Sequence, residues 1–531
     1  MKDRTRLKKK AWLGVMLLLL ISMLVSACSG NSGNGNQEES ASPPAAETTE
    51  PSANASPEGI DTSEPVTLKM VLLGSKPTDT DDVYAEVNKI LKEKINATIE
   101  LRYLDWNEYN QKYPLLFAAN EDFDLIFASS WAFYQPTARK DGFLELTEDM
   151  LKTYAPATWA QQDPLGWEQA KVDGKIYMVP SDYFESGHGM VILRGDLREK
   201  YNLPEVKSQA DFVKFLSTVA KNEKGMTAFG GPSTSLNGVA LPIMFNDLER
   251  VFVHGSAPLV YDMKSEHPKL YNYLDDSKYI EKLNTLYDMA QQGIWPKDAI
   301  VSKTDWAAAF KEGKTAAHHG NLLTLAATME AITLAHPEWK PEVIDLVPDA
   351  KRIRAPFHSN GIGIHATSKH PERALMALDL LRHDKELFDL TTYGIKGKHW
   401  EPVGDGKYRS LPGSTGYPPD GACPWGWRTQ GMYRQLEGAA GDLLASTYDK
   451  WKKNNIVDLK LATFVLDDAN IKNELAALAN VQKTYLLPIY HGLVKPEDGI
   501  PEVQEKLKQA GIDKVQAEMQ KQIDAFVQSN P

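Results

Sequence analysis

Two rhythms of apolar and polar positions alternate along the chain from residue 65 onward. "VTLKMVLLG" (Val66–Gly74) is a nearly continuous apolar run of strand length. "DDVYAEVNKILKEKI" (Asp81–Ile95) follows, with Val83, Val87, Ile90, Leu91 and Ile95 on one helical face. "TIELRYLD" (Thr98–Asp105) returns to a two-residue period, "WNEYNQKYPLLFAAN" predicts a helix, and "FDLIFASS" (Phe123–Ser130) predicts another buried strand. This βαβαβ order implies an α/β lobe with a mainly parallel sheet, whose ligand loops sit at the carboxyl ends of its strands.

Beyond it, "VDGKIYMVPSDYFESGHGMVILRGDLREKY" (Val172–Tyr201) holds a short strand ending at Pro180, a Gly-rich polar stretch, and the strand "MVILR". A longer, more helical region runs to about Pro348. "FHSNGIGIHATSKHPERALMALDLL" (Phe357–Leu381) predicts a strand, a turn, and a helix from near Pro371. From Thr463 the pattern is mostly helical to the end, and no repeat of solenoid length occurs.

The first 64 residues differ in kind. Lys2, Arg4, Arg6, Lys8, Lys9 and Lys10 precede the apolar run Trp12–Val25, which is short for a span of roughly 20 residues. Small residues then lead to Cys28, one of two cysteines. A basic, then apolar, then small-residue order predicts a signal peptide over 1–27. "LVSAC" resembles the lipobox of bacterial lipoproteins, which implies cleavage before Cys28 and a diacylglycerol thioether on its sulfur. Residues 28–64, rich in Ser, Gly, Asn, Pro, Ala, Thr and Glu, predict a disordered tether. The implied location is the outer face of a cell membrane, and the pattern suits a Gram-positive surface.

Charge narrows the partners. The formal net charge is −12, and removing a signal with six basic residues against Asp3 takes it to −17. That argues against nucleic acid, which needs a basic surface. With Cys28 acylated, Cys423 is the only remaining thiol, so no intrachain disulfide is expected.

"DWAAAFKEGKTAAHHGN" (Asp305–Asn321), "NGIGIHATSKHPERALMALDLL", "TTYGIKGKHWEPV" (Thr391–Val403) and the helical tail from "VLDDANIKNELAALANVQ" onward resemble the family 1 extracellular solute-binding lipoproteins of carbohydrate ABC importers, in particular their LipO-like group. The resemblance covers nearly the whole mature chain. It implies a two-lobed periplasmic-binding-protein-like fold of type II with a helical C-terminal region. By this analogy residues 65–184 and 357–401 form one lobe and 185–356 the other. The mainly helical 402–531 packs mostly on the second lobe. It further implies a monomer without catalytic activity, cofactor or metal, which holds a carbohydrate between its lobes and delivers it to ABC permease subunits.

A sugar site needs flat aromatics for the ring faces and polar groups for the hydroxyls. Trp131 and Tyr134 follow "FDLIFASS" and are candidates, the alternative being packed loop anchors. "CPWGWRTQ" offers Trp425, Trp427 and Arg428, against a lobe-packing role. Asp182 and Glu185 lie at the presumed crossover, Asn321 ends a strand whose loop in the resembled family often faces the cleft, and Asn360 precedes "GIGI". Arg194 has carboxylate neighbours in Asp196 and Glu199. The Gly361-x-Gly363-x-x-Ala366 spacing matches a dinucleotide fingerprint only by letters, because its glycines lie within a strand. Adjacent His318 and His319 point to opposite faces, and Asp79, Asp81 and Asp82 favour a helix N-terminus over calcium. Two other function classes stay open: a lipid-anchored glycoside hydrolase, which needs paired carboxyls, and a peptide- or signal-binding protein on the same fold.

Overall fold

Val66–Leu73 is buried along most of its length because it lies inside a sheet rather than at its edge. It pairs in parallel with Ala97–Leu104 on one side and with Leu125–Ala128 on the other. Gly361–Ile364 then adds antiparallel to Leu125–Ala128, and Val179–Pro180 closes the five-stranded order. The computed structural model describes residues 60–530 apart from 107, 187–188, 233–241 and 405. The signal peptide, Cys28 and most of the predicted tether lie outside the described residues.

Helices cover this first sheet as the periodicity predicts. Thr80–Ile95 buries Val83, Tyr84, Val87, Leu91 and Ile95, and Pro371–His383 buries Ala374, Leu375, Leu378 and Leu381. The glycines of "GIGI" are there for room: a Cβ at Gly363 would stand 2.7 Å from the Phe143 ring, and one at Gly361 2.5 Å from the Val179 carbonyl oxygen. The dinucleotide reading of that spacing is thereby closed, since Gly361–Ile364 is a strand.

A second core is built on a smaller antiparallel sheet, in which Gly189–Arg194 lies between Ala317–Asn321 and Pro341–Ile344. Helices Gln209–Asn222, Ser277–Gln291, Pro496–Gln509 and Ile512–Ser529 bury apolar faces in that core. Two cores joined by chain crossings make this a type II periplasmic-binding-protein-like fold. Arg194 is a structural residue, in a two-point ion pair with Asp196 (2.7 and 2.6 Å) and stacked 4.0 Å over Trp339. Among the described residues no helix is long and apolar enough to cross a membrane.

Two expectations need adjusting. The start of the predicted C-terminal region, 402–438, has no α-helix among its described residues, only the short 3-10 helices Pro412–Thr415 and Pro424–Trp427, and its Tyr417, Cys423 and Trp427 join the first core. Its glycines and prolines ("LPGSTGYPPDGACPWGW") forbid a continuous helix. Asp79 precedes Thr80–Ile95 but makes no capping bond with its side chain. Its carboxylate instead meets Lys398 Nζ at 2.7 Å and His399 Nε2 at 3.0 Å, which hold its pKa far below the usual range.

Burial pushes His358 and His383 down to about 4 and His318 to about 3. Their folded pKa values lie below the unfolded value near 6.5, so between those limits the unfolded chain binds more protons. Stability is therefore expected to fall on acidification from about pH 6.5 to pH 5, His358 alone contributing roughly 1–2 kcal/mol. Urea unfolding at the two pH values checks this; equal midpoints would contradict it.

Candidate ligand-binding site

Three strands of the first sheet end side by side, and the chain beyond two of them carries an indole. Trp106 follows Ala97–Leu104, and Trp131 follows Leu125–Ala128. Gly74, just past Val66–Leu73, lies beneath Trp106: with φ at +108° and a Cβ position 3.3 Å from the Trp106 Nε1, it leaves room for the ring. Trp425 arrives from the C-terminal region and stacks on Trp106, with centroids 5.7 Å apart and planes 18° from parallel. Trp131 lies 6.2 Å from Trp106, and Tyr109 packs edge-on to both.

Exposed aromatic surface of this extent is unusual for a folded protein. Trp106 is 42 % exposed and Trp131 39 %, so neither serves chiefly as core. The Trp131 and Trp425 loops are each shaped by a non-glycine residue in the left-handed region, Phe133 at φ 60° and Cys423 at φ 61°. Such conformations cost on the order of 1 kcal/mol and persist where surrounding contacts impose them. Ser129 supplies one such contact. Its Oγ accepts from the Trp131 amide (3.1 Å) and donates to the Ser359 carbonyl (2.6 Å), tying the loop to the segment that leads into Gly361–Ile364.

Trp131 also stands on the wall of a cleft of about 750 Å³. Asn110, Ser130, Phe133 and Arg139, close in the chain to the first core, line it together with His254, Ser256, Phe464 and Tyr490 from the part of the chain that builds the second. Arg139 Nη1 donates across it to the Leu466 carbonyl at 3.4 Å. His254 Nδ1 accepts from the Ser256 amide (3.1 Å), and burial lowers its pKa.

The crossover residues named from sequence form a cluster of their own. Residues 182–186 meet 354–355 and 428–430 through bridges Ser186–Arg354 and Asp182–Thr429, with the Ala355 amide donating to the Glu185 carbonyl at 2.9 Å. Arg428 forms ion pairs with Glu185 and Asp420, and Asn360 Nδ2 donates to the Glu185 carboxylate at 3.1 Å. Asp182 is half-buried, and burial raises its carboxyl pKa. None of these four expected residues lines the cleft; Glu185, Asn360 and Arg428 are occupied with one another.

Three further expected residues take structural positions. Tyr134 is fully buried, its hydroxyl donating to the Ala170 carbonyl and accepting from the Tyr177 amide (3.2 Å). Trp427 is fully buried, with Nε1 donating to Thr391 Oγ1 at 3.1 Å. Both are more deeply buried than their turn neighbours, the exposed Trp131 and the partly buried Trp425. Asn321 caps the helix Leu322–Ala335, its Oδ1 accepting from the Thr324 amide at 2.8 Å. Trp106 and Tyr109 were missed because "WNEYNQKYPLLFAAN" reads as one helix, whereas the helix begins only at Tyr109. The signal was present: Trp106 follows its strand as Trp131 follows its own. Among the described residues no three His, Cys, Asp or Glu side chains converge to hold a metal ion.

Comparison with known proteins places this architecture. Residues 86–383, more than half of the chain, match the family described as bacterial extracellular solute-binding protein, and 460–528 match a domain of unknown function. A carbohydrate ABC transporter substrate-binding protein of Streptococcus pneumoniae is 27 % identical over 495 residues, covering 89 % of this chain and 94 % of its own. The crystal structure of the N-glycan transport solute binding protein of the same species superposes with a TM-score of 0.70 at 25 % identity, covering 88 % of this chain and all of that one. An HMO-binding, ABC-transporter-associated solute binding protein of Bifidobacterium longum infantis shares the fold, with a TM-score of 0.61 at 15 % identity over 88 % of this chain and 99 % of that one. The chain belongs to the bacterial extracellular solute-binding protein family.

Proposed function

We propose that the protein captures an oligosaccharide between its two lobes and delivers it to the permease of an ABC importer, as a monomer held to the outer face of the membrane through an acylated Cys28. The observation that carries this reading is the platform of Trp106, Trp131 and Trp425 at the strand ends beside the cleft. Sugar rings present C–H faces that stack on indoles, and a cleft of this volume suits several sugar units. The sugar-related names of the relatives support the same class. The lobes are taken as 65–184 with 357–401 and as 185–356, so that the chain crossings between them act as the hinge.

The protein acts here without catalysis. A glycosidase sets two carboxyls across its substrate. Asp468 is the one carboxylate among the described residues lining the cleft, and Glu185 is engaged by Arg428 and Asn360.

Thermal unfolding of the purified protein across oligosaccharides and peptides tests the reading. A matching saccharide at a hundredfold its Kd is expected to add about 2.7 kcal/mol, a shift of several degrees, and to be recovered intact. A shift with peptides alone, or hydrolysis of the bound sugar, would overturn it.

A further inference from the structure

We infer that the oligosaccharide taken by this cleft is anionic, bearing carboxylate or similarly charged groups; this rests on the carbohydrate reading above and adds the class of its ligand. The chain as a whole is acidic, at −12, yet the charges facing the cleft have the opposite balance. Arg139, Lys140 and Lys472 line it against the one carboxylate of Asp468.

The cations come from both walls. Arg139 and Lys140 follow the helix Tyr134–Ala138 on the first-lobe side, and Lys472 opens the helix Lys472–Val481 opposite. Arg139 is partly engaged, 3.3 Å from the exposed Asp173 carboxylate and reaching Leu466 across the gap. Lys140 and Lys472 have no carboxylate partner among the described residues. Other lysines do: Lys171 pairs with Glu168 and Lys175 with Glu145, each at 2.6 Å. His254 adds no charge at neutral pH, since its buried ring accepts a hydrogen bond from the Ser256 amide.

Arg139 and Lys140 on one wall, with Lys472 opposite, outnumber the Asp468 carboxylate beside Lys472, so closing the empty cleft concentrates positive charge that an anion between the walls neutralises. An anionic ligand therefore favours the closed state over the open one, which is what a ligand must do to drive closure. A neutral sugar of the same shape gains the stacking but not this difference.

Calorimetric titration with matched pairs tests the inference: an oligogalacturonide and its methyl ester, and a sialylated glycan and its desialylated form. In at least one pair the acidic member is expected to bind about tenfold tighter or more. That gap should shrink between about 0.05 M and about 0.5 M salt, as screening requires. Joint replacement Lys140→Gln and Lys472→Gln, both exposed and so benign for folding, should bring acidic binding down towards that of the neutral partner. Equal or tighter binding of the neutral members would overturn the charge inference and leave the carbohydrate reading intact. Binding of none of the four saccharides would overturn the carbohydrate reading, and the inference with it.

Discussion

Arg428→Ala is expected to destabilise the protein by about 3–5 kcal/mol, the usual consequence of stripping one partner from a buried ion pair. Arg428 is only 5 % exposed and sits between Glu185 and Asp420. Removing it leaves two carboxylates facing a space emptied of positive charge. Asp420 is buried deeply enough that desolvation already pushes its pKa up, so the variant must carry an unpaired buried charge or protonate it. The deficit relative to the parent should therefore narrow on acidification below neutral pH, because protonation relieves the variant of the unpaired Asp420 charge. Arg428→Lys keeps the charge but not the fork and should fall between the two. Urea unfolding of the three proteins decides the matter. A loss under about 1 kcal/mol for Arg428→Ala would mean that the crossings are held by backbone bridges alone.

The second large effect is on binding. Trp131→Ala is expected to weaken oligosaccharide affinity by about 10- to 100-fold, as removal of a stacking indole should, while changing stability by less than about 1 kcal/mol. Trp106→Ala should behave alike, because the two rings form one platform with Trp425. Trp427→Ala supplies the contrast. Its ring is fully buried in the first core and its replacement should cost about 3–5 kcal/mol of stability. Titration and unfolding on the same three variants separate platform from core. Unchanged affinity in both Trp106→Ala and Trp131→Ala would remove the platform from the site.

How far the sequence reached follows from the range of the interactions that shape each part. The strands Val66–Leu73 and Ala97–Leu104, and the helices Thr80–Ile95 and Pro371–His383, were legible because their signal is periodic burial, a local property. Trp131 was legible for a related reason: a strand fixes where its following loop emerges. Trp425 against Trp427 was not decided by "CPWGW", since Gly426 packs against Ile362 and that contact sets which indole turns inward. Glu185 was read at a presumed crossover, Asn360 only as preceding "GIGI" and Arg428 only as part of a polar loop, and the structure brings the three together. Whether they face solvent or one another depends on the partner charge of Asp420, which no spacing reveals. The cations of the cleft were invisible for the same reason, because Lys140 and Lys472 are far apart in sequence and only the fold brings both to line one cleft.

The most direct test is a side-by-side titration of the parent protein and Trp131→Ala with whichever saccharide stabilises the parent most. One-to-one binding to the parent that is weakened at least tenfold in the variant, with both equally folded, is the result predicted here. Binding of equal strength to both would contradict a site between the lobes at this platform.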